Sequence, residues 1–134
     1  MRIAEISRKT NETDIYVKLN IDGTGVRQIN TAIGFFDHML DQLARHGLID
    51  LTLTVKGDLN VDEHHTIEDT GIALGEAFAA AMGDKAGISR FATQFVPRDE
   101  ALACVSVDVS GRAYLHYNVD CPDVTVGEIG RAHV

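Results

Sequence analysis

Two adjacent histidines followed by a glutamate three residues later are the strongest chemical signal in this sequence. The segment 61–71 reads VDEHHTIEDTG and contains two histidines and four carboxylates. On a helix, His64 and Glu68 lie about 40° apart around the axis, and His65 lies about 60° beyond Glu68. Imidazole and carboxylate ligands suit Zn, Mn, Fe or Ni, and two histidines that point apart favour two metal ions over one.

The same segment has a structural alternative, an acidic helix N-terminus with exposed histidines. A second pattern favours the metal interpretation, because His38, Gln42 and His46 recur at every fourth position and form one stripe on another predicted helix. Counting His38, the candidate ligands amount to about two per metal ion, so further ligands must come from elsewhere. Nearby carboxylates either orient the imidazoles or are solvated. These carboxylates are Asp62, Glu63 and Asp69.

Two arginines lie beside glycines in predicted turns and are candidates for phosphate binding. Arg90 lies in the segment GISRF, and Arg112 lies in the segment SGR. The planar guanidinium fork of arginine matches a phosphate group, and backbone N–H groups of a turn add further donors. A solvated surface position is the alternative for both residues.

Alternating hydrophobicity predicts the strands that must position these side chains. Residues 15–21 alternate between apolar and mostly polar side chains, as in a strand buried on one face. Turn residues at 22–25 predict a hairpin that returns through residues 26–31. Residues 48–56 alternate in the same way and predict a further strand.

The last third of the chain predicts a second hairpin. Residues 101–109 alternate, turn through residues 110–112, and resume as a strand over residues 114–119. This order looks like the start of a second copy of the opening elements. We therefore expect one domain made of a first half-repeat, about residues 1–92, and the beginning of a second half-repeat, about residues 93–134.

Two helices are predicted between these strands. Apolar residues recur with helical spacing from residue 33, and Gly47 is placed to end that helix. A second helix is predicted from about His64 to Met82 and ends at Gly83. Its predicted packed side includes two small residues that would allow a neighbouring element to approach closely. The residues predicted on or beside that side are Ile67, Gly71, Leu74, Gly75 and Phe78.

Composition and charge limit the functional classes. The chain has 134 residues, 45% of them hydrophobic and 24% charged, which is typical of one folded domain. Its net charge of −8 opposes binding to nucleic acid. Because neither a signal peptide nor an apolar run of about 20 residues is present, we expect a cytoplasmic protein without membrane contact.

Taken together, the motifs resemble those of imidazoleglycerol-phosphate dehydratases, which act in histidine biosynthesis. The resemblance covers nearly the whole chain in the family's order, and FFDHML and DEHHTIED are its most specific parts. The matching segments are TNET at 10–13, DGTG at 22–25, TAIGFFDHML at 31–40, GDL at 57–59, residues 62–75, PRDEA at 97–101 and VDVSGR at 107–112.

The resemblance implies an α+β fold of the ribosomal protein S5 domain 2-like type, in which two similar βαβ-type halves pack their sheets on helices. It also implies a 24-subunit homo-oligomer with active sites between subunits, and two Mn²⁺ ions in each complete site. The implied metal ligands are His38, His64, His65 and Glu68. The residues implied to face the phosphorylated imidazole substrate are Glu12, Gln42 and His46, with Arg90 and Arg112 on the phosphate. Glu12 and Glu68 are the candidate catalytic residues.

The second half of the family pattern is incomplete in this sequence. Family members have a second HHxxE segment, and none is present here, so we expect a chain truncated before that motif. Two alternatives to an active lyase follow from this difference and from the motif alone. One is an inactive metal-binding assembly module of the same family, and the other is a hydrolase with a single zinc ion.

Overall fold

The computed structural model describes residues 1–119. The contacts of the described residues form two units, one ending at Gly83 and the other beginning at Asp84. The first unit contains strands β1 (Ile3–Lys9), β2 (Thr13–Asn20), β3 (Arg27–Asn30) and β4 (Asp50–Gly57) and helices α1 (Gly34–Gly47) and α2 (His64–Met82). The second unit contains strands β5 (Phe91–Arg98) and β6 (Ala101–Asp108). In residues 1–119, neither helix is long and apolar enough to cross a membrane.

The first unit is a four-stranded sheet with the order β1-β2-β4-β3. Strand β4 is antiparallel to β2 and parallel to β3, and α1 supplies the crossover that two consecutive parallel strands require. Alternate apolar residues of β2 and β4 point to one face and are buried against small residues of α2. These core residues include Ile15, Val17, Leu19, Leu51, Leu53, Val55, Ala73, Leu74, Ala77 and Ala81.

The first predicted hairpin is wrong in its pairing. Strand β3 does not pair with β2, because β4 lies between them. Asp50, at the start of β4, accepts hydrogen bonds from the backbone N–H groups of Thr24 and Val26 at 2.8 and 2.9 Å, which attach the connecting loop to β4. The sequence pattern also did not identify β1, where Ala4 is the only fully buried hydrophobic residue and the alternation is therefore weak.

The two predicted helices are confirmed, and α2 spans the residues expected for it. The predicted packed face of α2 is confirmed for Leu74 and Phe78 but wrong for its two glycines. Gly71 and Gly75 are exposed, and a Cβ at either position would meet no atom within 4 Å. Thr66, Thr70 and Ala73 are buried instead, so the small residues that bring the helix close to the sheet are threonines and alanines.

The second predicted hairpin is wrong in the choice of its partner strand. Strand β6 pairs antiparallel with the preceding β5, and the two-residue connection contains Asp99 with φ of 50°. Residues 113–119 form no strand. The α+β class, with sheet packed on helices, is confirmed, whereas the division into two half-repeats stays a prediction and extends beyond the described residues.

Candidate metal and substrate site

The first turn of α2 brings His64 and Glu68 together. Nε2 of His64 lies 2.8 Å from Oε2 of Glu68, and the two side chains are 43% and 57% exposed. The backbone N–H of His64 donates to Oδ1 of Asp62 at 2.8 Å, which helps to fix the start of the helix. An imidazole and a carboxylate on adjacent helical turns, both open to solvent, are suited to bind one cation together.

His65 takes a different partner, Asp58 in the loop after β4. Its Nδ1 lies 2.9 Å from Oδ2 of Asp58, which leaves Nε2 as the ring nitrogen available to a metal ion. The His64 and His65 rings are 5.8 Å apart and inclined at 67°, so the adjacent histidines face different partners. The hydrogen bond with Asp58, followed by the charges of Asp58, Glu12 and Asp62, raises the pKa of His65 against the opposing effect of burial.

Asp58 is the acceptor that sequence reasoning missed. The spacing drew attention to Asp62, Glu63 and Asp69, which are neighbours of the histidines along the chain. The sequence signal that was present is the segment GDL at 57–59, which directly precedes the motif. Only the turn between β4 and α2 brings Asp58 back to His65.

Asp69 has a different role from the one expected, because it binds residues of the sheet. Its Oδ2 accepts a hydrogen bond of 2.5 Å from Oγ1 of Thr13, and its Oδ1 lies 2.8 Å from Nη1 of Arg8. Burial raises the pKa of Asp69, but the bonds from Thr13 and Arg8 together outweigh burial and hold the pKa below its ordinary value. Asp69 therefore connects α2 with β1 and β2.

The remaining candidates of the first unit lie on α1 and in the loop before β2. Nε2 of His46 lies 3.1 Å from Oε1 of Gln42, which confirms that these residues share one stripe of α1. His38 and Glu12 are exposed. Among residues 1–119, no three His, Cys, Asp or Glu side chains converge as a metal-binding group, so His38 does not join the pair of His64 and Glu68.

Of the two candidate phosphate ligands in the second unit, Arg90 is the one that binds Asp108. Nε and Nη2 of Arg90 donate to the two carboxylate oxygens of Asp108 at 2.7 and 3.1 Å. The Arg90 guanidinium also lies 4.9 Å from the centre of the Phe91 ring. The hydrogen bond from Arg90 holds the pKa of Asp108 below its ordinary value, and the charge of Arg112 contributes in the same direction. The structure thus pairs Arg90 with Asp108, whereas Arg112 acts on the same carboxylate only through its charge.

A sequence model described as imidazoleglycerol-phosphate dehydratase matches residues 31–134. The chain belongs to the imidazoleglycerol-phosphate dehydratase family. Enzymes of that name from Aminomonas aminovorus and Caldanaerobacter subterraneus subsp. tengcongensis are 56% and 61% identical over 128 and 127 residues, which are 96% and 95% of this chain. These matches cover 66% of each relative, so the chain spans about two thirds of the length of the curated relatives it matches.

A solved structure of this family supports the same assignment at the level of the fold. The crystal structure of imidazoleglycerol-phosphate dehydratase from Staphylococcus aureus has a TM-score of 0.83 and 33% sequence identity to this chain. The superposition covers 96% of this chain and 70% of that one. The resemblance stated from the sequence motifs is therefore confirmed for the family and for the fold.

Proposed function

We propose that this chain contributes to a hydro-lyase that dehydrates D-erythro-imidazoleglycerol phosphate to imidazole acetol phosphate in L-histidine biosynthesis. The observation that carries this proposal is the arrangement at the start of α2 in a member of this family. There, His64 lies 2.8 Å from Glu68, and His65 is fixed by Asp58 with its Nε2 available. A cytoplasmic location is part of the proposal.

The cofactor that we propose is Mn²⁺, with two ions in each complete active site. His38, His64, His65 and Glu68 would hold the ions, and the donor chemistry fits, since imidazole and carboxylate ligands suit manganese. The Asp58–His65 contact fits as well, because metal-bound histidines ordinarily use their second ring nitrogen to bind a carboxylate. When bound, Mn²⁺ would stabilise negative charge on the substrate imidazole, which favours departure of the neighbouring hydroxyl.

The side chains of this unit would bind the substrate and move protons. The reaction removes one hydroxyl and one carbon-bound hydrogen as water, and the resulting enol tautomerises to the ketone. Glu12, an exposed carboxylate in the loop before β2, is the candidate to transfer the proton at carbon. Gln42 and His46, which already bond each other on α1, would face the substrate.

The phosphate of the substrate would bind Arg90 and Arg112. Asp108 supports this role because it holds the fork of Arg90 in one orientation before a ligand arrives. Binding energy from the phosphate, which does not react, would fix the imidazole end of the substrate for the chemical step. Arg112→Ala is then expected to raise KM strongly, and an unchanged KM would remove this assignment.

We also propose that each active site is shared between subunits of a homo-oligomer, a 24-mer as in the family. The support is that candidate ligands in residues 1–119 come together only in pairs, whereas Mn²⁺ takes a larger ligand set. Other ligands would then come from another subunit or from parts of the protein outside the described residues.

The test measures bound Mn²⁺ and dehydration of imidazoleglycerol phosphate on the same sample. His64→Ala and Glu68→Ala should each lower bound Mn²⁺, and turnover should fall with it by about 100-fold, a typical loss for a disturbed metal site. Glu76→Ala is the matched control for Glu68→Ala, because Glu76 is also an exposed carboxylate of α2 but lies about two helical turns beyond the candidate ligands.

Three outcomes separate the candidate functions. Mn²⁺ binding with turnover, both lost in His64→Ala and Glu68→Ala and kept in Glu76→Ala, supports the lyase. Mn²⁺ binding without turnover favours the inactive metal-binding assembly module. Absence of Mn²⁺ binding, or equal loss in the Glu76 control, contradicts the proposed site.

A further inference from the structure

The loop that carries Glu12 is held by one hydroxyl group. Thr10 precedes this loop, and its Oγ1 accepts hydrogen bonds from the backbone N–H groups of Glu12 at 3.1 Å and Thr13 at 3.0 Å. The backbone N–H of Thr10 in turn donates to the carbonyl oxygen of Thr13 at 2.8 Å. A threonine hydroxyl has two lone pairs, and both acceptor positions of Thr10 are therefore used to shape the loop.

A second hydroxyl connects this loop with α2. Thr13 is 3% exposed, and its Oγ1 donates to Oδ2 of Asp69 at 2.5 Å while lying 3.2 Å from Oγ1 of Thr10. An ionised carboxylate is an acceptor only, so the hydrogen of Thr13 points to Asp69 and the hydrogen of Thr10 points to Thr13. The hydroxyl of Thr10 therefore donates to Thr13, and the hydroxyl of Thr13 donates to Asp69.

Asp69, the last acceptor in this series of hydrogen bonds, is itself held in place by its surroundings. It lies one helical turn after His65, its side chain is 13% exposed, and its second oxygen binds Arg8 of β1 at 2.8 Å. The start of α2 is also packed tightly on the sheet here, since a Cβ at Gly57, the partner of Thr13 in the sheet, would lie 1.9 Å from Oγ1 of Thr66. The loop and the first turns of α2 therefore form one connected structure.

We propose that Thr10, Thr13 and Asp69 are positioning residues that hold the Glu12 carboxylate at the histidine-bearing end of α2. The inference rests on the proposed function, in which Glu12 acts on the substrate beside the metal ligands. In this role each of the three residues acts through Glu12.

A pair of substitutions at Thr10 tests this role with little change in shape. Thr10→Val replaces the hydroxyl with a methyl group of similar size, whereas Thr10→Ser keeps the hydroxyl and removes only a methyl. In Thr10→Val, the amide hydrogens of Glu12 and Thr13 should exchange with solvent at least about tenfold faster, while the amides of Val17 in β2 and Leu53 in β4 are unchanged. Thr10→Ser should retain the protection of both loop amides.

The catalytic readout separates positioning from a merely structural role. Thr10→Val should lower kcat by about 10- to 100-fold with little change in KM, because a carboxylate displaced by about 1 Å is a poor proton-transfer group. Thr10→Ser should recover most of kcat. Asp69→Asn, which keeps the size of the side chain, should lower kcat in the same direction, and the thermal midpoint of each variant confirms that it is folded.

Each outcome decides the proposal. Unchanged exchange of the Glu12 amide in Thr10→Val overturns it, as does faster exchange with unchanged kcat. If the unsubstituted protein shows no dehydratase turnover, the proposed function fails, and exchange then decides whether Thr10 holds the Glu12 loop. In that case, loss of protection in Thr10→Val with recovery in Thr10→Ser supports it, and equal protection in all three proteins overturns it.

Discussion

The sheet of the first unit and the hairpin of the second unit are built from similar strands that end in opposite environments. In β2 and β4, alternate residues such as Val17 and Leu53 are 0% exposed. In β5 and β6, Phe95, Leu102 and Val105 remain 59% to 65% exposed, and every residue of both strands is exposed. Alternating hydrophobicity therefore predicted strands in both regions, but the buried face that it indicates is observed only in the first unit.

The difference shows that a strand needs a covering element before its apolar face becomes a core. In the first unit, α2 lays buried alanines and threonines on the sheet, which seals one face. The described part of the second unit, residues 84–119, contains two strands and no helix. An isolated two-stranded hairpin is marginally stable in water. The contribution of an apolar side chain to the free energy of unfolding should therefore differ greatly between the two regions.

Truncation of one apolar side chain in each region gives the largest expected contrast. Leu53→Ala removes a side chain that is fully buried and should lower the free energy of unfolding by about 2–5 kcal/mol. Val105→Ala, at a position 59% exposed, should change it by less than about 0.5 kcal/mol. Urea unfolding of both variants measures the two values. Similar losses would show that Val105 is covered in the assembled protein and would end the contrast.

A pair of glycines sharpens the comparison within the first unit. Gly57→Ala places a Cβ 1.9 Å from Oγ1 and 3.1 Å from Cβ of Thr66, so rotation of the threonine hydroxyl does not relieve the clash. We expect a loss of about 1–3 kcal/mol in unfolding free energy. Gly71→Ala meets open space on α2 and should stabilise the helix by up to about 1 kcal/mol. A loss of stability in Gly71→Ala would indicate that its face of α2 is covered by another subunit.

Acid titration gives the smallest expected effect and compares one carboxylate from each region. Hydrogen bonds from the backbone N–H groups of Thr24 and Val26 hold the pKa of Asp50 below its ordinary value, and Arg90 does the same for Asp108. A carboxyl with a lowered pKa stabilises the folded state above its ordinary pKa of about 3.9, and this stability is lost as the pH falls through the lowered value. Both carboxyls should therefore titrate below that ordinary value.

The two carboxyls should differ in how they affect global unfolding. Asp50→Asn should reduce the dependence of the thermal midpoint on pH between about pH 5 and pH 2, because Asp50 joins the loop to the central strand. Asp108→Asn should leave this dependence unchanged, because Asp108 lies in a hairpin whose strands contain no buried residue. An equal effect of the two substitutions would show that the hairpin unfolds together with the core.

Sequence reasoning succeeded where the signal is local. The boundaries of α2 follow from helical spacing and from Gly83, and the His64–Glu68 pair follows from residues four apart on one helix. The Gln42–His46 pair has the same origin. The sequence-based prediction failed for the partners of β3 and β6, because alternation indicates a strand without specifying which other strand it pairs with.

The sequence by itself determined the family, the strands β2 and β4, both helices and the histidines that face different partners. Only the tertiary structure decided that Asp58 holds His65 and that Asp69 binds Thr13, 56 residues away along the chain. The physical reason is that helical spacing and turn chemistry act within a few residues, whereas these contacts form only after β4 has inserted into the sheet and α2 has packed against it.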